Sequence, residues 1–215
     1  MRVVCDMGPL QYLILMGCDH VLPALFGDVL TARVVIEKEM SAPTTPDAVR
    51  RWAAAPPSWL QVRNPKHLLH IPSLGREGKR GDGDRAVISL ALEERIPFVL
   101  MDDVKARKQV VAKGKEHGHE MEPLWMLEVI DVAAERGLID DLPEKLRILE
   151  HETPYYIGKD ARQVIQGILR RDLERKQKLA EEQDRKLREQ PAPQQQTPPK
   201  PGDEQQPERG FRPKM

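Results

Sequence analysis

The chain has 215 residues, enough to bury the core of one ordinary domain and to carry an appendage. Its 34 Lys and Arg residues are balanced by 34 Asp and Glu residues, which excludes a protein that grips nucleic acid through a uniformly basic surface. The two cysteines, Cys5 and Cys18, are too few for a disulfide framework, so we expect buried thiols and a cytoplasmic protein. No apolar run approaches the roughly 20 residues of a membrane span, so we expect no membrane contact.

The first half of the chain alternates short apolar runs with helical patterns. Arg2–Cys5 predicts a strand that ends at Asp6, and Pro9 suits the first turn of a helix through Met16. The next predicted elements, in chain order, are a helix over Val21–Phe26, a strand over Asp28–Ala32, a helix holding Val34, Val35, Glu37 and Met40, a weak helix over 47–55 and a strand over 59–62.

The second half continues the alternation. The run GREGKRGDG, residues 75–83, predicts a loop, after which Asp84 opens a helix to Glu94. The apolar run 97–101 predicts a buried strand, followed directly by Asp102, Asp103 and a helix to about Lys113. Further helices are predicted over 126–136, over 143–151 and from near Lys159. Strands that alternate with helices at this spacing predict a three-layer α/β/α domain around a mainly parallel sheet.

The composition changes near residue 173, where apolar residues thin out. Mixed charges and strong helix formers over 173–190 predict a solvated helical extension. The Pro- and Gln-rich stretch 191–215 predicts a disordered tail. We therefore expect a domain over 1–172, then the charged helix, then the tail.

Several carboxylates fall where strands end or helices begin. Asp6 ends the first strand, Asp102 and Asp103 end a later one, and Asp84 opens the helix that leads into it. In a parallel α/β domain, strand carboxyl ends and helix amino ends share one edge of the sheet, so these side chains are expected together there. Glu37 could approach the same edge from its helix, although spacing does not place it.

Carboxylates packed together repel unless a cation compensates their charge, and hard oxygen ligands favour Mg²⁺ or Mn²⁺. Such ions can activate water and stabilise both oxygens exchanged in phosphodiester cleavage, so a metal-dependent nuclease is one hypothesis. The alternatives are helix capping by Asp6 and Asp84, an ordinary turn at Asp102 and Asp103, and a solvated helix face at Glu37. Receiver and nucleotide-binding domains also place acids at this edge.

Other polar groups allow more than one interpretation. His117 and His119, with nearby glutamates, suggest either a transition-metal cluster or an exposed loop, and we favour the loop. Arg80, Lys105 and Arg107 could contact RNA phosphates or could serve only solubility. The three tryptophans, Trp52, Trp59 and Trp125, are expected to pack and not to stack on bases.

Four segments of the body, residues 3–13, 24–40, 83–107 and 133–142, have the sequences VVCDMGPLQYL, ALFGDVLTARVVIEKEM, GDRAVISLALEERIPFVLMDDVKAR and AAERGLIDDL. Through these segments the chain resembles the PIN-domain family, in its DUF3368 branch related to toxin-antitoxin ribonucleases. The family's acids map onto Asp6, Glu37, Asp84, Asp102 and Asp103.

The resemblance implies a Mg²⁺- or Mn²⁺-dependent ribonuclease in which Asp6, Glu37, Asp84 and Asp102 act on an RNA phosphodiester through an activated water, with Asp103 as a further metal ligand. It also implies a small antitoxin protein as a partner, and a homodimer. The sequence departs from the family at Met7-Gly8, where a small hydroxyl residue usually follows the first acid, and at Asp84, where the family usually has Glu. These departures keep a second hypothesis open, a PIN-fold module that binds RNA or protein with little or no catalysis.

Overall fold

A computed structural model describes residues 1–74 and 81–189 of the chain. Its strands are β1 Arg2–Cys5, β2 Asp28–Ala32, β3 Leu60–Arg63, β4 Phe98–Leu100 and β5 Glu122–Leu124. They form a parallel sheet with the order β3-β2-β1-β4-β5, flanked by helices, which confirms the predicted three-layer α/β/α class. In the register of the central strands, Val3 of β1 pairs with Val29 of β2 on one side and with Phe98 of β4 on the other.

Helices follow the strands as expected for parallel crossovers. One segment, Val35–Met40, is a π-helical turn where the sequence predicts an ordinary helix. Pro72–Leu74 forms a short 3₁₀ turn. The α-helices are α1 Met7–Leu15, α2 Val21–Phe26, α3 Asp47–Ala54, α4 Asp82–Glu93, α5 Val104–Glu116, α6 Met126–Glu135, α7 Leu142–His151 and α8 Lys159–Glu189.

The core lies on both faces of the sheet. Val3, Val4, Val99 and Leu100 are fully buried on the two central strands, as a parallel sheet covered on both faces requires. Cys5 is also fully buried, and burial raises the pKa of its thiol. Both cysteines are the buried thiols that the sequence predicts.

Two further local features differ from the sequence prediction. Strand β5 was not predicted, because it has only three residues and one of them, Pro123, cannot donate a ladder hydrogen bond; Pro is tolerated there because β5 is an edge strand. Helix α4 begins at Asp82 and not at Asp84. Gly81 precedes it with a φ of 97°, a left-handed conformation that favours glycine, so the chain turns into the helix earlier than the predicted loop allowed.

Contacts along the chain divide it after Lys176. The first unit is Met1–Lys176, and the described part of the second unit is the remainder of α8. The predicted tail over 191–215 lies outside the described residues. Over 1–74 and 81–189, no helix is long and apolar enough to cross a membrane.

Candidate active site at the carboxyl edge of the sheet

Asp6 lies where the strand order reverses, between β1 and β4. Its backbone N–H donates to the carbonyl of Leu100 at 2.9 Å, which fixes it at the carboxyl end of both strands. In open parallel sheets, this reversal point is where ligands bind. Asp6 holds the amino-cap position of α1, but its side chain makes no capping hydrogen bond and is only 9 % exposed. Helix capping therefore does not account for this buried carboxylate.

Glu39 enters the same region from the π-helical turn. Its Oε1 accepts a hydrogen bond from the backbone N–H of Gly83, near the start of α4, at 3.2 Å. A Cβ atom on Gly83 would overlap this carboxylate, lying 2.7 Å from Glu39 Cδ. The absence of a side chain at Gly83 is thus what lets the Glu39 carboxylate approach α4.

Asp84, in the first turn of α4, is electrostatically coupled to both of these carboxyl groups. Burial raises the pKa of Asp6 well above its ordinary value, and the charges of Asp84, Glu39 and Asp102 raise it further. Burial and then the charge of Asp84 raise the pKa of Glu39 to about 7. Because the charges of Asp84, Glu39 and Asp102 all act on Asp6, and the charge of Asp84 also acts on Glu39, we treat the four side chains as one acidic cluster, comprising Asp6, Glu39, Asp84 and Asp102.

Asp102 directly follows the buried run of β4. Its Oδ1 accepts the backbone N–H of Met126 at 3.0 Å, while its Oδ2 is buried and has no hydrogen-bond partner among the residues described. Burial raises the pKa of Asp102 to about 6, against the opposing effects of the Met126 hydrogen bond and the Arg107 charge. A buried carboxylate oxygen without a partner is costly, unless it meets a cation or a donor when a ligand binds.

The family model described as DUF3368, a PIN domain, matches residues 2–171. The chain belongs to the PIN-domain family. This family generally comprises nucleases, and the match covers every strand together with the whole acidic cluster. No curated protein and no solved structure matches the chain.

The PIN domain brings Asp6, Asp84 and Asp102 together, as their positions in the sequence predict, but leaves Glu37 outside the cluster. The Glu37 side chain is 58 % exposed and pairs with Arg33 at 3.0 Å. Glu39 occupies the place in the cluster that the resemblance implies for Glu37. Glu37 is taken from the family resemblance and not from spacing. The π-helical turn makes i→i+5 hydrogen bonds, so an α-helical spacing of 3.6 residues would not indicate which glutamate faces the sheet.

Asp103, which the resemblance implies as a further metal ligand, lies at the start of α5. Its Oδ1 accepts the backbone N–H groups of Lys105 and Ala106, each at 2.8 Å, so its carboxylate caps α5. A cap of this kind stabilises a helix by about 1 kcal/mol and occupies one carboxylate oxygen. Of the adjacent pair at the end of β4, Asp102 belongs to the cluster and Asp103 to the helix.

The basic residues that the sequence suggests as RNA contacts differ in their distance from the acidic cluster. Arg107 lies close enough to Asp102 to lower the pKa of that carboxyl group, whereas Lys105 is exposed at the start of α5. Arg80 lies outside the described residues. His117 and His119 line a cleft of about 340 Å³ with His67 and Glu93, in an arrangement separate from the acidic cluster.

The cluster fits a divalent cation in the chemistry of its donors. Carboxylate oxygens are the ligands that Mg²⁺ and Mn²⁺ prefer, and Asp102 Oδ2 has no other partner in the described part of the chain. Across 1–74 and 81–189, however, no three His, Cys, Asp or Glu side chains are already arranged to hold a metal ion. Cation binding at this edge would therefore need the carboxylates to draw together from their present positions.

Proposed function

We propose that this PIN domain is a metal-dependent endoribonuclease, in which Asp6, Glu39, Asp84 and Asp102 hold Mg²⁺ or Mn²⁺. One observation carries the proposal. Four carboxylates from four separate elements converge at the reversal point of the sheet, with raised pKa values at Asp6, Glu39 and Asp102. Such a site costs folding stability, and perturbed carboxyl groups of this kind are concentrated where ligands bind and react.

The chain's own residues divide the work. A divalent cation bound here would polarise the scissile phosphodiester and lower the pKa of the attacking water. Asp102 has a buried Oδ2 without a hydrogen-bond partner in the described part of the chain, and Gly83 holds the Glu39 carboxylate in place through its N–H. The Arg107 guanidinium, near Asp102, supplies positive charge for an RNA phosphate.

The partners are proposed on the family resemblance. RNA is the proposed substrate, and a small antitoxin protein and a second copy of the chain are proposed partners. A toxin role requires that the small protein suppress the cleavage described above.

A second candidate is a PIN-fold module that binds RNA or protein without cutting it. It is favoured by the lack of a ready three-ligand arrangement among the described residues and by Met7-Gly8 after the first acid, a pair that provides no side-chain hydroxyl. Such a module would bind RNA equally well in EDTA and would leave it intact.

The test is cleavage of labelled RNA by the purified full chain with Mn²⁺ or Mg²⁺, against EDTA. The test variant is Asp6→Asn/Asp102→Asn, which removes two charges of the acidic cluster. The control variant is Glu37→Gln, which removes an exposed carboxylate that does not belong to the cluster. We expect metal-dependent cleavage by the wild type and by Glu37→Gln, and none by the double variant. Folded wild-type protein that binds RNA but does not cut it would establish the second candidate.

A further inference from the structure

Beside Asp102 lies a group of aromatic side chains that the metal chemistry does not use. We call it the aromatic cluster, and it consists of Tyr12, Trp125 and Tyr155. The Tyr12 and Tyr155 rings meet edge to face with their centroids 4.8 Å apart, and Trp125 Nε1 donates to the Tyr155 hydroxyl at 3.1 Å. All three side chains are half-buried, so each ring keeps some exposed surface. These rings come from three separate parts of the chain.

The aromatic cluster is held against the acidic cluster by the backbone. Trp125 precedes Met126, whose N–H donates to Asp102 Oδ1 at 3.0 Å. The backbone N–H of Trp125 donates to Glu128 Oε2 at 2.7 Å, which fixes the start of α6. The Asp102 charge also raises the pKa of both Tyr12 and Tyr155. The aromatic cluster therefore lies beside Asp102, on the side where α6 begins.

Arg107 completes the arrangement. Its Cζ lies over the Trp125 ring, 6.0 Å from the ring centroid, which is the distance of a cation–π pair. Its buried Nε has no hydrogen-bond partner in the described part of the molecule. Nucleobases stack on both aromatic and guanidinium planes, so the exposed surface of this pair suits the flat ring of a base.

We propose that Trp125 and Arg107 form a nucleobase subsite, which receives the base of a nucleotide next to the one cut at the acidic cluster. The proposal rests on the proposed function for its position in the reaction. A base in a duplex is stacked on its neighbours and is closed to such a pair. Recognition by stacking tolerates any base, because every base has a π face.

The test separates base binding from phosphate binding and from cleavage. A short labelled oligouridine and an oligomer with the same ribose-phosphate backbone but no bases are titrated into the full chain in Ca²⁺ and in EDTA. The variant is Trp125→Leu, and Trp59→Leu is its matched control, since Trp59 packs against Trp52 with ring centroids 6.0 Å apart in another aromatic pair. We expect Trp125→Leu to weaken oligouridine binding about 5- to 100-fold, with little change for the base-free oligomer. Trp59→Leu should match the wild type on both.

A second measurement leaves Trp125 intact and so does not depend on the folding of Trp125→Leu. In a Trp52→Phe/Trp59→Phe protein, Trp125 is the sole tryptophan, because the sequence has three. We expect oligouridine, and not the base-free oligomer, to quench its fluorescence. Three results would overturn the subsite. They are equal quenching by oligouridine and the base-free oligomer, an equal loss of affinity for both in Trp125→Leu, and no binding of oligouridine. Base-dependent binding without cleavage in Mn²⁺ would keep the subsite and overturn the nuclease, whereas cleavage without base dependence would do the reverse.

Discussion

The two ends of helix α4 place carboxylates in opposite electrostatic settings. At the amino end, burial and the charge of Asp84 raise the pKa of Asp6 and Glu39. Just past the carboxyl end, Glu94 accepts hydrogen bonds from two arginines, one of them Arg2 at 3.1 Å, and these lower its pKa. At the carboxyl end, the negative charge of Glu94 stabilises the folded state. At the amino end, the buried charges of Asp6 and Glu39 lower the stability of the folded state. Buried, destabilising carboxylates of this kind are typical of ligand-binding and catalytic sites.

The largest expected effect on cleavage comes from neutralising one glutamate of the π-helical turn at a time. Glu39→Gln removes a charge from the acidic cluster, and we expect it to lower RNA cleavage by about 100-fold or more, since even residues that only support a metal ligand contribute about 10- to 100-fold. Glu37→Gln removes an exposed charge two residues away and should leave the rate unchanged. Initial cleavage rates of the two purified variants in Mn²⁺ measure this. If Glu37→Gln were the inactive variant, Glu39 would be the wrong ligand.

The pH dependence of metal-free stability gives an intermediate effect. The pKa of Glu39 rises from 4.5 to about 7 on folding and that of Asp102 from 3.8 to about 6, so the folded state binds protons that the unfolded state releases. The stabilisation that comes from binding these protons is present at low pH, and it is lost as the pH rises through the pKa values that Glu39 and Asp102 have in the folded state. We expect the melting temperature in EDTA to fall between about pH 5 and pH 7.5, and to fall less in Glu39→Gln. A melting temperature that rises over this interval would contradict the raised values.

The carboxyl end of α4 should give the smallest effect. Glu94→Gln weakens the pairs with Arg2 at 3.1 Å and with Arg63 at 2.7 Å, both of them partly exposed to solvent. Because exposed pairs contribute little, we expect a loss of about 0.5–1 kcal/mol in the free energy of unfolding and no change in cleavage. Urea denaturation and the cleavage assay measure the two quantities. A loss of activity would mean that the two ends of α4 are coupled.

The sequence predicts the fold where the local signals are strong. The strands β1 and β4 are short runs that are apolar apart from Arg2, and each is followed by an acid and a helical pattern, so their place in a parallel sheet could be predicted. Strand β5 could not, because Glu122 and Pro123 are both unfavourable in strands and it forms only by pairing with β4. Tertiary pairing, which no local pattern contains, decides that element.

The candidate site residues also include some that the sequence could predict and some that it could not. Asp6 and Asp102 follow buried strands, so topology alone brings them to one edge. Asp103 also follows a strand, but its carboxylate caps the next helix, and residue type and position do not distinguish the two uses. Glu39 could not be chosen over Glu37, because a choice based on helical spacing assumes an α-helix. The π-helical geometry depends on packing that the sequence pattern does not show.

The π-helical turn Val35–Met40 makes the cluster sensitive to insertion and deletion. An α-helix rotates by about 100° per residue, so removing one residue before Glu39 would relax the turn to α-helical phase and swing this carboxylate away from Gly83. Every amino-acid type needed for the cluster would remain in the chain. The fourth carboxylate is therefore specified by residue count as much as by residue identity, and a one-residue change in the length of this turn is a route by which a chain with this fold could gain or lose the site.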